Sequence, residues 1–180
     1  MNTNAFTRAA LSAERIEALP LENSFWKYSL KLWQNKTLQD TLLQLQDAQE
    51  FRINLLLFAM WAGMENIDIK PHLQTIDACA RNWYEEVVAP LRQVRKSLAK
   101  HALRAKIQES ELQAEQIEQA LLFELSQKFP ANEEDTSLNI LIRNLFASRL
   151  PKSHLLLCIQ ACLPKYSEAD ILTHINELKD

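Results

Sequence analysis

The sequence predicts an all-α fold, and three observations support this. Gly63 is the only glycine among 180 residues, whereas β-turns depend heavily on glycine. Hydrophobic residues make up 47% of the chain, and they recur at helical spacing along most of its length. Residues 53–64 carry no charge and span about half the length that a membrane helix requires. We therefore expect a multi-helix bundle or orthogonal domain with residues 53–64 as its one central buried helix.

Capping residues locate the first helices. The N-terminal segment, residues 1–22, contains a weak helical pattern over 5–18 that Pro20 ends. Asn23 and Thr37 stand where the next two helices begin, so we expect their side chains to cap those helices. Asn54 opens the central run and is expected to cap it in the same way.

Prolines and periodicity locate the remaining helices. Pro71 fits the first turn of a helix, and Pro90 interrupts the apolar stripe that follows. Ser167 and Asp170 have the spacing of a capping box at the start of the last helix. The remaining helices are predicted near 107–128, 136–149, 152–163 and 168–178.

Domain organisation and compartment follow from composition. We predict a single helical domain over 23–180, in which the polar loop 131–136 is the one candidate boundary, between a core 23–130 and a C-terminal part 137–180. The net charge of −3 gives no general attraction to nucleic acid or to acidic membranes. Three cysteines and an N-terminus without an apolar export segment predict a cytoplasmic protein with no membrane insertion.

Charges are segregated along the middle of the chain. Residues 92–106 contain six cations and no acid, whereas 109–124 contains five glutamates and no base. Glu111, Glu115 and Glu118 share one helix face, where like charges are unfavourable unless cations lie opposite. We therefore predict a helical hairpin in which the two segments meet. Arg95 is the cation expected to point inward, and its predicted partner is Glu111 or Glu118.

The same charges leave other interpretations open. The glutamates could await a basic partner or a metal, although the Glu-x-x-His spacing of helical carboxylate metal sites is missing. The segment 92–106, with Arg92 among its cations, could contact RNA or the ribosome. It contains no aromatic residue to stack on bases, and the sequence as a whole disfavours nucleic acid. Alternatively, Leu91, Val94 and Leu98 form the buried face of a helix and the cations its solvated back.

No catalytic, cofactor or metal motif is found. A Gly-rich phosphate loop is impossible with one glycine, and there is no nucleophile elbow. His154, Cys158 and Cys162 lie at successive four-residue intervals, but their neighbours are leucine and isoleucine, so we expect reduced, metal-free core cysteines. The protein is therefore predicted to have no cofactor and is not expected to be an enzyme.

A tryptophan-lined pocket is the alternative to this expectation. Tryptophan is frequent in binding hot spots and in ligand pockets, where a few polar groups fix the ligand. Polar residues flanking the apolar core would supply these groups. The candidate lining residues are Trp26, Trp33, Asp47, Asn54, Trp61 and Trp83.

Several patches together resemble an uncharacterised bacterial all-helical family, a domain of unknown function. They are Leu45-Gln46-Asp47, then Asn54-Leu55-Leu56-Leu57-Phe58 with Trp61, then Val87-Val88-x-Pro90-Leu91-Arg92-x-x-Arg95, and finally Glu111-Leu112-x-Ala114-Glu115-x-x-Glu118-Gln119. The resemblance covers about residues 23–125 and implies a small helical bacterial protein with no transferable activity. It also implies a glycine where this chain has Glu50. Either Glu50 adopts a left-handed helix terminus, or the turn is built differently here.

The functional prediction is a non-catalytic protein-interaction adaptor or regulator that uses a groove or a charged face. The first alternative is an enzyme or small-ligand binder with the tryptophan-lined pocket. The second is an RNA- or ribosome-associated factor that uses residues 92–106. Candidate partner-binding residues are those of the possible pocket together with Arg92, Arg95, Glu111, Glu115 and Glu118.

Overall fold

The structure, a computed structural model, describes residues 12–178 and shows helices joined by turns, with no strand in that range. The all-α prediction is therefore confirmed. A 3₁₀ turn, Lys70–His72, and a π-helical turn, Tyr84–Val88, flank the fifth helix. The α-helices are α1 Ala13–Glu17, α2 Ser24–Trp33, α3 Lys36–Gln49, α4 Ile53–Met64, α5 Leu73–Trp83, α6 Ala89–Ser97, α7 Arg104–Ser126, α8 Ser137–Ala147, α9 Lys152–Cys162 and α10 Glu168–Glu177. Within residues 12–178, no helix combines the length and apolarity that crossing a bilayer requires. The part of the predicted 5–18 helix before residue 12 lies outside the described residues.

The chain divides into two compact units. The first joins the described residues up to Trp26 to Leu73–Leu125, and the second joins Lys27–His72 to the described residues from Ser126 onward. Both units are therefore discontinuous in sequence. The C-terminal helices α8, α9 and α10 belong with α3 and α4, and the loop 131–136 lies inside the second unit.

Helix α4 forms the core of the second unit. Nine of its twelve residues are buried, including Leu56, Phe58 and Trp61, as the uncharged run predicts. α4 packs most closely on α8. At the crossing, a Cβ atom on Gly63 would lie 2.7 Å from the Cα of Leu141. The lone glycine therefore permits a close backbone approach that a larger residue would obstruct.

A buried asparagine on α8 anchors the turn after α4. The Asn144 side chain is fully buried, accepts a hydrogen bond from the Ile69 amide at 3.0 Å, and donates to the Ile67 carbonyl at 2.9 Å. It therefore satisfies two buried backbone groups that belong to no helix. Sequence reasoning missed this residue because nothing in the pattern of α8 separates it from a surface asparagine.

The predicted caps are partly correct. Asn23 accepts a hydrogen bond from the Trp26 amide at 2.8 Å, and Ser167 and Asp170 form the predicted capping box. Thr37 was the wrong cap for α3, since Asn35 occupies that position and accepts from the Leu38 amide. Asn54 was also wrong as the cap of α4. That helix begins two residues earlier than a cap at Asn54 would require, and Arg52 stands at its cap position without a side-chain cap bond.

The family resemblance left two possibilities for Glu50, a left-handed helix terminus or a differently built turn, and the structure shows the first. It ends α3 in the left-handed conformation, with φ 56° and ψ 28°, and its amide bonds to the Leu45 carbonyl. The turn therefore has the geometry that a glycine would adopt without strain, and Glu50 occupies it.

In the first unit, α5, the π-helical turn, α6 and α7 surround a small apolar core. Trp83, Val88, Ala114 and Leu121 are among its buried residues. Pro90 lies in the first turn of α6, after the π-helical turn, so the α-helix is interrupted there as predicted. The π-helical turn has a further effect on α6, which is described with the candidate site.

Candidate functional site

A network of arginines and glutamates joins α6 to α7 in the first unit. Arg92 Nε donates to Glu111 Oε1 at 2.9 Å, and its Nη2 donates to Glu115 Oε1 at 2.6 Å. Arg95 pairs with the same Glu111 through its Nε and also through Nη2, which lies 3.2 Å from Oε1. Glu111 therefore binds two guanidinium groups, and the segregated charges meet as the hairpin prediction requires.

Helix periodicity brings these side chains together. Arg92 and Arg95 lie three residues apart on α6, and Glu111 and Glu115 lie four residues apart on α7, so each pair shares a helix face. Because Arg92 reaches Glu115 and Arg95 reaches Glu111, the two helices run antiparallel. The predicted pairing of Arg95 with Glu111 is confirmed.

One part of that prediction was wrong. Arg92 lies deeper than Arg95, since their side chains are 10% and 21% exposed respectively. Val94, which was expected on the buried face with Leu91 and Leu98, is 45% exposed. The reason is the π-helical turn Tyr84–Val88, which adds a residue to one helical turn and rotates α6 relative to α5.

The two carboxyl groups differ in their ionisation. Burial disfavours the charge on Glu111, but hydrogen bonds from Arg95 and Arg92 outweigh it, and the pKa of Glu111 falls below its usual value. Burial raises the pKa of Glu115 to about 7, because the charge and hydrogen bond of Arg92 only partly offset desolvation and the nearby Glu111 and Glu118 charges. Glu115 is therefore protonated in a large fraction of molecules near neutral pH.

Aromatic side chains hold the network in place. The Tyr84 ring lies 6.0 Å from Arg92 Cζ, within the range of a cation–π interaction. Trp83 donates from its indole nitrogen to the Ala114 carbonyl at 2.8 Å, which fixes α5 against α7 between the two glutamates. Glu118, one turn further along α7, is 1% exposed. Sequence reasoning missed Tyr84, although a tyrosine two turns before Arg92 is a readable signal.

The four tryptophans are divided between the units. Trp26 and Trp83 belong to the first, and Trp33 and Trp61 belong to the second. Trp26, Trp61 and Trp83 are buried and Trp33 is half-buried, so none of them is an exposed anchor for a partner. Trp83 packs in the core of the first unit, and the Trp61 ring lies 5.8 Å from the Phe58 ring in the second.

The two polar candidates of the second unit lie in different surroundings. Asn54 is buried in α4, whereas Asp47 is exposed on α3. Asp47 lines a shallow, open concavity along α3 together with Asp40, Leu43, Gln44 and Ala48. No tryptophan lines this concavity, so it does not correspond to the predicted tryptophan pocket.

Three further cations, Lys100, Arg104 and Lys106, lie between the end of α6 and the first turn of α7. We call residues 98–106 the basic loop. Within residues 12–178, no acidic side chain forms an ion pair with Lys100, Arg104 or Lys106. His101 Nδ1 accepts from the Leu103 amide at 3.1 Å, and Leu103 itself is 49% exposed. The basic loop therefore combines unpaired positive charge with an exposed apolar side chain.

The cysteines are free thiols in the structure. Burial raises the pKa of Cys158 and Cys162 to about 12, which disfavours the thiolate that reaction or metal binding would need. The nearby His154 lies beside Ser153, at 3.3 Å from its hydroxyl. Among residues 12–178, no group of three histidine, cysteine or acidic side chains is arranged to hold a metal ion.

The fold and this site define a class of helical protein in which an arginine–glutamate network is buried between two antiparallel helices. A comparison with protein-family models shows which family within that class the chain belongs to. The chain belongs to the family described as "Protein of unknown function (DUF2390)", whose model matches residues 24–122. This range contains α2–α6, most of α7 and the whole network, and it agrees with the resemblance noted in the sequence. Searches of curated proteins and of solved structures gave no match.

Proposed function

We propose that this protein is a non-catalytic interaction module that binds an acidic surface of a partner protein through its basic loop. The observation that carries the proposal is the composition of that loop. It contains the exposed Lys100 and Lys106 and the half-buried Arg104 beside Leu103, and these cations have no acidic partner in the part of the chain that the structure describes. Complementary charge speeds and selects association, while an exposed apolar side chain that becomes buried on binding supplies affinity.

The contrast with the neighbouring arginines supports this choice of surface. Arg92 and Arg95 are bound to Glu111 and largely buried, so they are engaged in holding α6 to α7. Lys100, Arg104 and Lys106, which follow further along the sequence, have no such acidic partner within residues 12–178. The two ends of the basic segment therefore have different roles, one in packing and the other in binding.

A protein partner fits this surface better than RNA does. The basic loop contains no phenylalanine, tyrosine or tryptophan on which a base could stack, and its large exposed apolar side chain is a leucine. An exposed leucine gains little from a phosphate backbone, whereas it packs readily against an apolar patch on a protein. A small-ligand or enzymatic role has less support, because the concavity along α3 is shallow and open.

The proposed setting is the bacterial cytoplasm. Its support is chemical: the free thiols of Cys79, Cys158 and Cys162 suit a reducing compartment.

Affinity capture with a matched pair of variants tests the proposal. Lys100→Gln/Lys106→Gln removes two charges from the basic loop, and Lys27→Gln/Lys31→Gln removes two exposed charges from α2 as the control. We expect a protein that the wild type and the control retain from lysate but the loop variant loses. Identical retention by all three proteins would refute the proposal. Loop-dependent material that disappears after ribonuclease treatment would replace the protein partner with RNA.

A further inference from the structure

Arg104, in the basic loop, carries an unsatisfied guanidinium nitrogen. Its side chain is half-buried, and its Nη1 atom is shielded from solvent without a hydrogen-bond acceptor among residues 12–178. A buried donor on a charged group is unfavourable unless an acceptor reaches it. Because no acceptor in that range holds the guanidinium in place, turning it outward to a bound anion breaks no hydrogen bond and gives Nη1 an acceptor.

Two exposed lysines lie on either side of Arg104 in the sequence. Lys100 and Lys106 form no ion pair within the described range, 12–178. Residues 98–106 themselves contain no aspartate or glutamate. The basic loop therefore brings three positive charges together in a short segment, and the part of the chain that the structure describes neutralises none of them.

The start of α7 makes this concentration of positive charge unfavourable. A helix N-terminus carries a partial positive charge, which acidic residues in the first turn commonly offset. α7 has no acidic residue in its first turn, which instead contains Arg104 and Lys106. An anion bound by these side chains would therefore relieve a repulsion within the free protein.

These groups suit a phosphoryl group better than a carboxylate. A phosphorylated side chain carries about −1.5 to −2 charges near neutral pH and three acceptor oxygens, whereas a carboxylate carries a single charge and two oxygens. The planar fork of an arginine can bind two of the phosphoryl oxygens while lysines add charge.

We propose that the basic loop binds a phosphoserine or phosphothreonine side chain on its partner protein. Arg104 is the principal ligand of the phosphoryl group, and Lys100 and Lys106 supply further charge. Leu103, which is 49% exposed, packs against an apolar neighbour of the phosphorylated residue. This inference rests on the proposed function, because it names the chemical group that the same loop recognises.

Titration with inorganic phosphate tests the site directly, with the backbone amide signals of residues 98–106 followed by NMR spectroscopy. Acetate at the same ionic strength is the carboxylate control, and we expect it to bind at least about fivefold more weakly than phosphate.

Variants of the loop assign the phosphate to its ligands. Arg104→Lys keeps the charge but loses the planar fork, so it should weaken phosphate binding about fivefold. Lys100→Gln/Lys106→Gln, at two exposed positions, should also weaken it. The control Arg149→Lys changes an exposed arginine of the second unit and should bind as the wild type does. Circular dichroism establishes that each variant keeps its helix content. Equal affinity for phosphate and acetate, or wild-type affinity in Arg104→Lys, would overturn the inference.

Capture from lysate treated with a phosphoprotein phosphatase tests the source of the phosphoryl group. Such an enzyme hydrolyses phosphoserine and phosphothreonine but leaves the phosphodiesters of RNA intact. We expect the protein that depends on the basic loop to be retained from untreated lysate and lost after the treatment. If its retention is unchanged, the phosphoryl inference fails while the proposed function stands. If neither lysate yields a protein that depends on the loop, the proposed function fails, and recognition of a phosphorylated partner fails with it.

Discussion

Replacing Glu115 by glutamine isolates the energetic effect of one buried carboxyl group. Its pKa is raised from 4.5 to about 7 in the folded chain, so between these pH values the folded state holds a proton that the unfolded state has lost. The free energy of unfolding therefore falls as the pH rises through this window and becomes constant above about pH 7. Glutamine stays neutral throughout and still offers an oxygen to Arg92, whose Nη2 lies 2.6 Å from Glu115 Oε1.

The size of the effect follows from the width of that window. A shift from 4.5 to about 7, at about 1.4 kcal/mol per pH unit, corresponds to an upper limit of roughly 3 kcal/mol. The Glu115 side chain is 27% exposed, and solvent screening should reduce this to about 1–2 kcal/mol. We expect Glu115→Gln to be more stable than the wild type by that amount at about pH 8 and to match it near pH 4.5, where the wild-type group is protonated.

Urea unfolding followed by circular dichroism at several pH values measures this difference. Glu111→Gln is the matched control, because the pKa of Glu111 is lowered and its charge binds both arginines. The stability that Glu111 supplies is present above about pH 4.5 and is lost as the pH falls through its folded pKa. The control should therefore lose about 3 kcal/mol at neutral pH. If Glu115→Gln lost as much stability as Glu111→Gln at pH 8, the raised pKa of Glu115 would be refuted.

Three further predictions concern the fold, and thermal or chemical unfolding tests each of them. Glu50→Gly should raise the free energy of unfolding by about 1 kcal/mol by relieving the left-handed residue, whereas Gln49→Gly, at the last residue of the helix, should lower it. Gly63→Ala should destabilise by about 1–3 kcal/mol, because its Cβ would meet the Leu141 backbone; a gain, which alanine gives in an open helix, would contradict this. Asn144→Leu should cost about 2–4 kcal/mol and speed hydrogen exchange of the loop amide that Asn144 binds; unchanged exchange would refute its anchoring role.

Local chemistry made the helices predictable. The uncharged run 53–64, the prolines and the Ser167 capping box each act through a few neighbouring residues, and each was found where the sequence places it. The errors were also local. Asn35 precedes Lys36 and Thr37, and with two possible caps so close the sequence did not show which one begins α3. Helix boundaries are decided by such small differences in free energy.

The two units show what the sequence could not indicate. Each is built from segments far apart in the chain, and a boundary inferred from a polar loop follows sequence order instead. The residue that anchors α8 to the turn after α4, Asn144, lies 75 residues from its partner Ile69. No pattern within one segment reports a contact at that separation.

The charge network lies between these two cases. Three glutamates on one face of α7 require nearby cations, and this long-range consequence of a local pattern was predicted correctly. The arginine that lies deepest was not predicted correctly. Along α5, the π-helical turn and α6, the inward face is marked by five buried residues: Ile76, Ala80, Trp83, Val88 and Arg92. The interval of five from Trp83 to Val88 is the π-helical turn, and it shifts the inward face by one residue. If the apolar stripe continued with α-helical spacing, Leu91 and Val94 would lie on the inward face. In the structure, Arg92 and Arg95 lie there instead. The π-helical turn therefore directs the two arginines toward α7, whereas Lys100 and Lys106, later in the segment, are exposed at the surface.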